Sequence, residues 1–289
     1  MAPERSGAGT DHDRVTQIVQ RAASDWLSLR RAADETARQA SVAALPALDA
    51  HLSSRLGPGT AVTVCDLGAG TGANMAWLAP RLAVRQRWTL VDRDEDLLHQ
   101  VPTAAPSDAV LGVRRIAAEL EDLQHDDAAG TPADLVTCSA FLDVLTVGQV
   151  RELAAFVARI GAAALFSLSV TGVVRMDPVL ELDSRLNDVF NAHQVRHGLA
   201  GPGATAVAAQ VLCSNGFTVG LIETPWVLGA QQAPLVERYL SDRVAAVIDH
   251  DPALVEPSRD WLGLRMSQLR DGLLSLRVGH TDLVALPSD

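Results

Sequence analysis

The chain has no lysine, and its 24 arginines are outnumbered by 35 aspartates and glutamates, so the formal net charge is −11. A protein this acidic has no electrostatic footprint for nucleic acid, and we do not expect nucleic acid as a partner. Hydrophobic residues make up 48% of the 289 residues, which is ample for a core. The length suits one large domain with appendages, or at most two domains.

Cysteine is scarce as well. Cys65, Cys138 and Cys213 are scattered without C-x-x-C spacing, so we expect neither a disulfide framework nor a metal site. The first residues lack the apolar segment of a signal peptide. The longest apolar run, Ala162 to Val174, is interrupted by polar residues and is too short to span a bilayer. These absences together predict a soluble, cytoplasmic protein that does not contact a membrane.

The order of polar and apolar segments predicts three regions along the chain. Residues 1–12 are polar and glycine-rich and are expected to form a disordered tail. Residues 13–57 have apolar residues at helical spacing and are expected to form an N-terminal helical cap. Residues 58–289 alternate short apolar strands with helices, which is typical of a parallel, doubly wound α/β sheet.

Seven strands are predicted in that third region, at 61–66, 88–92, 110–117, 133–139, 163–169, 217–223 and 273–286. After the fifth strand the alternation is interrupted by a helical insertion at about 171–203, in which residues 178–197 read as one long polar helix. Further helices are predicted at 204–214 and 233–248. The last strand is expected to be irregular near Gly279.

A glycine-rich turn follows the first predicted strand, in the segment D-L-G-A-G-T-G that runs from Asp66 to Gly72. Such a turn lets the backbone approach a ligand and directs a helix N-terminus at it. With Ala73 the same residues also match the dinucleotide pattern G-x-G-x-x-A. The carboxylate of Asp66 would repel a pyrophosphate, whereas it suits a ligand that carries an ammonium group and no phosphate. S-adenosylmethionine is such a ligand, and the pattern favours it.

This segment resembles the first motif of the class I (Rossmann-like) S-adenosylmethionine-dependent methyltransferases. The resemblance continues in T-L-V-D-R-D-E-D-L-L (Thr89 to Leu98), where Asp92 ends the second strand. It continues further in A-E-L-E-D-L (Ala118 to Leu123) and in P-A-D-L-V-T-C-S-A-F-L-D-V-L (Pro132 to Leu145). The resemblance implies a seven-stranded, mostly parallel sheet whose last strand is antiparallel.

The resemblance also implies which residues bind the cofactor, S-adenosyl-L-methionine. In this family an acid at the position of Asp92 accepts hydrogen bonds from both ribose hydroxyls, and an acid at Glu119 accepts one from the adenine amino group. The end of the fourth strand lies beside the transferred methyl group. The implied cofactor-binding residues are Asp66, Gly68, Ala69, Gly70, Gly72, Asn74, Asp92, Arg93, Glu119, Leu120, Ser139 and Ala140.

Methyl transfer is an in-line displacement with a neutral leaving group, so the protein mainly aligns the acceptor and excludes water. One candidate acceptor region is the N-terminal helix, where Arg30, Asp34 and Arg38 stand at i, i+4 and i+8. They form either a salt-bridged solvent face or a cap whose arginines hold an acidic acceptor bidentately.

Two other regions supply candidate catalytic residues. In the long polar helix, His193 and His197 are spaced at i, i+4, and His193 is either a general base or one of a solvent-exposed pair. After the fourth motif, Phe141 is a candidate substrate contact. Asp143 either orients an acceptor hydroxyl or amine, or caps a helix.

Several subclasses lack their motifs here. The chain has no N-P-P-Y or D-P-P-Y segment and no Pro-Cys dipeptide, which disfavours adenine-amino, glutamine and cytosine-C5 methylation. We predict methyl transfer to a small-molecule acceptor, preferably at oxygen. An S-adenosylmethionine-binding protein without catalysis and a nicotinamide-dependent oxidoreductase are the alternatives, and the sequence leaves a homodimer open.

Overall fold

The computed structural model describes residues 25–55, 60–120 and 133–288. The predicted tail over residues 1–12 lies outside the described residues, as do residues 13–24 of the predicted cap. The segment 121–132, which includes the end of the predicted adenine-contacting motif and the start of the fourth motif, also lies outside them.

Within the described ranges, eight strands form one sheet in the order β3-β2-β1-β4-β5-β8-β6, and β7 pairs with β8 beside this path. The strands β1 to β5 pair in parallel, whereas β8 runs antiparallel to both β5 and β6. Their bounds are Val62–Leu67 (β1), Gln86–Asp92 (β2), Val110–Ala117 (β3), Leu135–Ser139 (β4), Ala163–Asp177 (β5), Phe217–Glu223 (β6), Trp226–Leu228 (β7) and Ser275–Pro287 (β8). The predicted doubly wound, mostly parallel sheet with an antiparallel last strand is confirmed.

Helices flank the sheet, and several pack around the extended part of β5 and β8. They span 25–37 (α1), Leu45–Ser54 (α2), Ala73–Leu78 (α3), Glu95–His99 (α4), Val147–Ile160 (α5), Asp183–Gln194 (α6), Ala204–Ser214 (α7), Ala233–His250 (α8) and Val255–Arg270 (α9). A 3-10 helix, Arg38–Ala44, joins α1 to α2. No helix in the described part of the chain is both long and apolar enough to cross a membrane.

The structure differs from the predicted elements mainly after the fifth strand. β5 continues to Asp177, because it pairs with β8 well past the edge of the parallel strands. The predicted long helix over 178–197 is shorter, Asp183–Gln194, and a 3-10 turn at Arg196–Gly198 follows it. The strand β7 and the helix α9 were not predicted. β7 has three residues after a proline, which are too few to show an alternating pattern.

Side chains of successive strand residues point to opposite faces of the sheet, and each face has its own core. Val64 and Leu165 face α2 and α3, whereas Val136 and Phe166 face α5 and α7. A third cluster surrounds the extended part of β5 and β8, which α1, α6, α8 and α9 cover with β7. We call this third cluster the ribbon lobe, and it lies at the carboxyl end of β5.

Candidate functional site

The glycine loop between β1 and α3 is held in a left-handed conformation. Gly68 and Gly70 have φ of +62° and +52°, values that side-chain-bearing residues rarely adopt. A Cβ atom at Gly68 would clash with the Phe141 ring, whereas one at Gly70 would have Leu27 Cδ1 as its nearest neighbour at 3.5 Å. Gly68 is therefore needed for packing, and Gly70 for the path of the backbone.

Asp92, at the end of β2, fixes this loop. Its Oδ2 accepts a hydrogen bond from the Gly70 backbone N–H at 2.8 Å, and its Oδ1 accepts one from the Asp94 N–H at 2.9 Å. The structure thus brings together two of the predicted cofactor residues, Gly70 and Asp92, by a direct contact.

Asp66 lies beneath the loop and is fully buried. Its Oδ1 accepts a 2.6 Å hydrogen bond from the Asn74 side chain, which also donates to Thr137 Oγ1 at 3.1 Å. Its Oδ2 has no hydrogen-bond partner among the described residues. Burial raises the pKa of Asp66 to about 7, the charge of Asp92 adds to this, and Asn74 and Arg38 oppose it.

Arg38, the first residue of the 3-10 helix after α1, is buried near this carboxyl. Its guanidinium lies over the Trp77 ring, with Cζ 3.9 Å from the ring centroid. Its Nε and Nη2 have no hydrogen-bond partner among the residues described. Burial lowers the pKa of Arg38 to about 10, although the charges of Asp282 and Asp66 act in the opposite direction. A buried cation with unused donors therefore lies near a buried carboxyl with an unused acceptor.

The more N-terminal part of α1 carries an ion pair. Arg30 Nε donates to Asp34 Oδ2 at 2.7 Å, and the Trp226 indole N–H donates to Asp34 Oδ1 at 2.9 Å. Burial raises the pKa of Asp34 and the Arg30 charge opposes this effect. The predicted i, i+4 pairing of Arg30 and Asp34 is present, but Arg38 is separate from it and stacks on Trp77.

The fourth motif ends in a strained turn after β4. Ala140 has φ of +51° and its N–H donates to the Ser167 carbonyl at 2.8 Å. Asp143 follows in a 3-10 turn, and its buried Oδ1 has no partner in the described part of the chain. Burial raises the pKa of Asp143, and Arg30 is the positive charge that opposes the shift.

One cavity of about 620 Å³ connects these elements. It runs from the glycine loop and the ends of β2 and β4 to the inner face of α1. The predicted residues that line it are Arg30, Asp34, Arg38, Gly68, Ala69, Gly70, Asn74, Asp92, Arg93, Glu119, Leu120, Ser139, Ala140 and Phe141. The lining does not include Asp66, Gly72 or Asp143, of which Asp66 lies behind Asn74.

His193 is not brought to this cavity. It lies on α6, with Nε2 2.8 Å from Arg196 Nη2 and Nδ1 3.8 Å from Asp249 Oδ2. His197 falls in the following 3-10 turn with φ of +55°, so the two histidines do not continue on one helix face. The structure therefore places His193 against α8 and outside the cavity lining.

Trp77 and Trp226 are site residues that the sequence did not reveal. Trp77 lines the cavity under Arg38, and Trp226 holds Asp34 from the ribbon lobe. The sequence carries one signal for Trp226. Thr224-Pro225 before it predicts a break in the chain, and a large aromatic residue at a break needs a packing partner. The sequence alone does not identify its partner.

Comparison with known proteins gave one match to a family model. Residues 64–162 match the model described as a methyltransferase domain. No curated protein matches the chain. The matched segment contains the glycine loop, Asp92 and the fourth motif.

Solved structures with similar folds include two enzymes. A cyclopropane synthase from Mycobacterium tuberculosis is 16% identical over 83% of each chain, with a TM-score of 0.43. The magnesium protoporphyrin IX methyltransferase of Synechocystis, solved with bound S-adenosylmethionine, is 16% identical over 76% of this chain and 93% of its own, with a TM-score of 0.43.

The family match runs from within β1 to just after the end of α5. The chain therefore carries a methyltransferase domain over residues 64–162.

Proposed function

We propose that the protein transfers the methyl group of S-adenosylmethionine to a small-molecule acceptor, at oxygen, by in-line displacement. The observation that carries this proposal is the continuity of the cavity, which joins the glycine loop and Asp92 to Phe141 and the inner face of α1. A space closed by a helix of the same chain suits a small molecule better than a macromolecule. Bound there, S-adenosylmethionine supplies an activated methyl group on a positively charged sulfur.

The residues of the cavity fit this cofactor. Arg38 lines the cavity with buried donors that have no partner among the described residues and that match the carboxylate of an amino acid. We assign the ammonium to the Asp66 side of the cavity, where Asn74 separates this carboxyl from the lining. We assign the ribose hydroxyls to Asp92 and the adenine to Glu119 and Leu120. The carboxylates of Asp92, Asp94 and Glu119 in the lining would repel a pyrophosphate.

The remaining predicted cofactor residues shape the cradle. Gly68, Ala69, Gly70 and Gly72 set the loop that approaches the methionine end, and Asn74 orients Asp66. Arg93 lines the cavity next to Asp92, and Ser139 and Ala140 form its wall at the end of β4. We propose that these last two lie beside the methyl group.

Asp143 supports transfer to oxygen. It lies between Phe141 and Val144, which line the cavity, and its buried Oδ1 has no partner among the described residues, so a hydroxyl that reached it would satisfy it. Because burial raises the pKa of this carboxyl, it is suited to accept a proton from the acceptor hydroxyl as the methyl group is transferred. Phe141 packs against the glycine loop and excludes water from the same region.

The test is turnover with S-adenosylmethionine labelled in its methyl group, against a panel of small alcohols, phenols and amines. We expect label in an oxygen-methyl product together with S-adenosylhomocysteine, and at least about a 100-fold loss of rate in Asp143→Asn. Label only in nitrogen- or carbon-methyl products would contradict the choice of oxygen. If the protein bound S-adenosylhomocysteine but never formed it from S-adenosylmethionine in the presence of cell extract, it would be a binding protein without catalysis.

A further inference from the structure

Two clusters of identical composition, each with one tryptophan, one aspartate and one arginine, lie in the ribbon lobe. In the first, Trp226 Nε1 donates to Asp34 Oδ1 at 2.9 Å, and Asp34 pairs with Arg30. The Arg30 guanidinium in turn lies over the ring of the same tryptophan, with Cζ 5.5 Å from its centroid. The arginine is thus held at one edge by the carboxylate and on one face by the indole.

The second cluster repeats this geometry. Trp261 Nε1 donates to Asp183 Oδ1 at 2.8 Å, Asp183 pairs with Arg265, and Arg265 Cζ lies 5.4 Å from the Trp261 ring centroid. Arg265 Nη1 also donates to the Pro178 carbonyl at 2.7 Å and to Gln268 Oε1 at 2.8 Å. The side chain of Arg265 is 0% exposed, so this guanidinium is fully enclosed by protein.

The two arginines differ in what their terminal nitrogens contact. Arg30 bonds to Asp34 through Nε at 2.7 Å and, more weakly, through Nη2 at 3.4 Å. Its Nη1 takes part in neither of these bonds, and the side chain lines the cavity. Arg265 shows that the same cluster is complete as a structural unit when its terminal nitrogens bond to protein. At Arg30 the cavity takes the place of those protein partners.

We propose that Arg30 binds the carboxylate of a small, carboxylate-bearing methyl acceptor through its terminal nitrogens, and that Trp226 positions Arg30 for this contact through Asp34. This rests on the proposed function, because it places the acceptor in the cavity that we assign to the cofactor. Asp34 is in this account a support for Arg30 and not itself an acceptor ligand.

The chemistry of the guanidinium favours a carboxylate over other oxygen groups. The terminal edge of a guanidinium presents two parallel N–H donors that match the two oxygens of a carboxylate. Its planar face is already fixed, so little conformational entropy is lost when the acceptor binds. Trp26 and Phe141 line the cavity nearby and suit an apolar or aromatic body on the acceptor.

Benzoate and its neutral isostere benzamide test the ligand class, each titrated by ligand-observed NMR in the presence of saturating S-adenosylhomocysteine. The bound cofactor product occupies Arg38, so a carboxylate probe reports on Arg30. We expect benzoate to bind at least about tenfold more tightly than benzamide, and Arg30→Gln to remove this preference. Equal affinity of the wild type for both probes, or full benzoate affinity in Arg30→Gln, would overturn the proposal.

Trp226→Phe and the matched variant Trp261→Phe test the positioning role. Both variants remove an indole N–H from the same kind of cluster, but only the first cluster contains residues that line the cavity, Arg30 and Asp34. We expect Trp226→Phe to weaken benzoate binding by about five- to tenfold and leave the affinity for S-adenosylhomocysteine unchanged. Trp261→Phe should lower the Tm and leave benzoate affinity unchanged.

Unchanged benzoate affinity in Trp226→Phe would overturn the positioning role, and so would an equal loss of both ligands, since the effect would then be general. Failure of the proposed function has a different signature. The wild type would then give no heat with S-adenosylhomocysteine by calorimetry. Titration of benzoate into the cofactor-free protein and Arg30→Gln would still report whether Arg30 binds a carboxylate.

Discussion

Asn74 donates a 2.6 Å hydrogen bond to Asp66, a carboxyl that is fully buried beneath the glycine loop. This bond and the Arg38 charge only partly offset the cost of burying the carboxylate, so the pKa of Asp66 is raised to about 7. The glycine loop is therefore built over a group that changes its charge near neutral pH.

Asp66 should make the stability of the fold depend on pH. Its ordinary pKa of 3.8 is raised to about 7 in the fold, so the folded protein binds more protons than the unfolded chain between these values. The stability that it contributes is fully present below about pH 4 and is lost as the pH rises to about 7. We expect Asp66→Asn to gain stability relative to wild type by up to about 1.4 kcal/mol per pH unit in this window. Urea denaturation at several pH values measures it, and a pH-independent difference would contradict it.

Asp92→Ala should lose cofactor binding. The change removes a carboxylate that holds the Gly70 and Asp94 N–H groups and that we assign to the ribose. We expect at least about a 100-fold loss of affinity for S-adenosylhomocysteine by calorimetry. Asp134→Ala is the control, because Asp134 also accepts from a backbone N–H, that of Thr63, but at the amino end of the strands. Similar losses in both variants would count against the ribose assignment.

Arg38→Met should weaken cofactor binding through the methionine carboxylate. We expect about a 10- to 100-fold loss of affinity for S-adenosylhomocysteine, since a charge-assisted bond is removed. Arg81→Met is a matched control, because Arg81 stacks on the same Trp77 ring, with Cζ 4.5 Å from its centroid, but does not line the cavity. The assignment of Arg38 fails if the two variants bind the ligand equally well.

Gly68→Ala and Gly70→Ala should differ in stability. Both glycines have positive φ, so each alanine costs about 1–2 kcal/mol of backbone strain. At Gly68 the new methyl group also clashes with the Phe141 ring, whereas Gly70 has space for it. We expect the free energy of unfolding to fall further in Gly68→Ala, by about 1–3 kcal/mol more. Phe141→Ala in the same chain should recover part of that difference.

The parallel part of the fold was predictable because its signals are local. Strands β1 to β4 are short apolar runs bounded by turns, and the loop after β1 carries its glycines within a few residues. The extension of β5 to Asp177 was not predictable, since Gly172 interrupts its pattern and its stability comes from pairing with β8. The short strand β7 depends on the same distant partner.

The candidate site divides in the same way. Asp66, Asp92 and the glycines were predicted from one βαβ unit and its resemblance to a family, and the match to a methyltransferase domain covers that unit. His193 seemed a candidate base from its residue type alone, and packing of α6 against α8 places it elsewhere. Residue type does not reveal which groups a fold brings into one cavity.

The sequence by itself predicted the methyl donor, because the acid before the glycines suits a ligand with an ammonium group and disfavours a pyrophosphate. Only the tertiary structure decided what Arg30 and Arg38 do. Arg38 stacks on Trp77, while Arg30 is held by an aspartate whose indole donor lies 192 residues away in the chain. The physical reason is that neighbouring residues occupy some of the N–H donors of a guanidinium and leave the others to bind a ligand. For Arg30 those neighbours come together only when the ribbon lobe packs against α1.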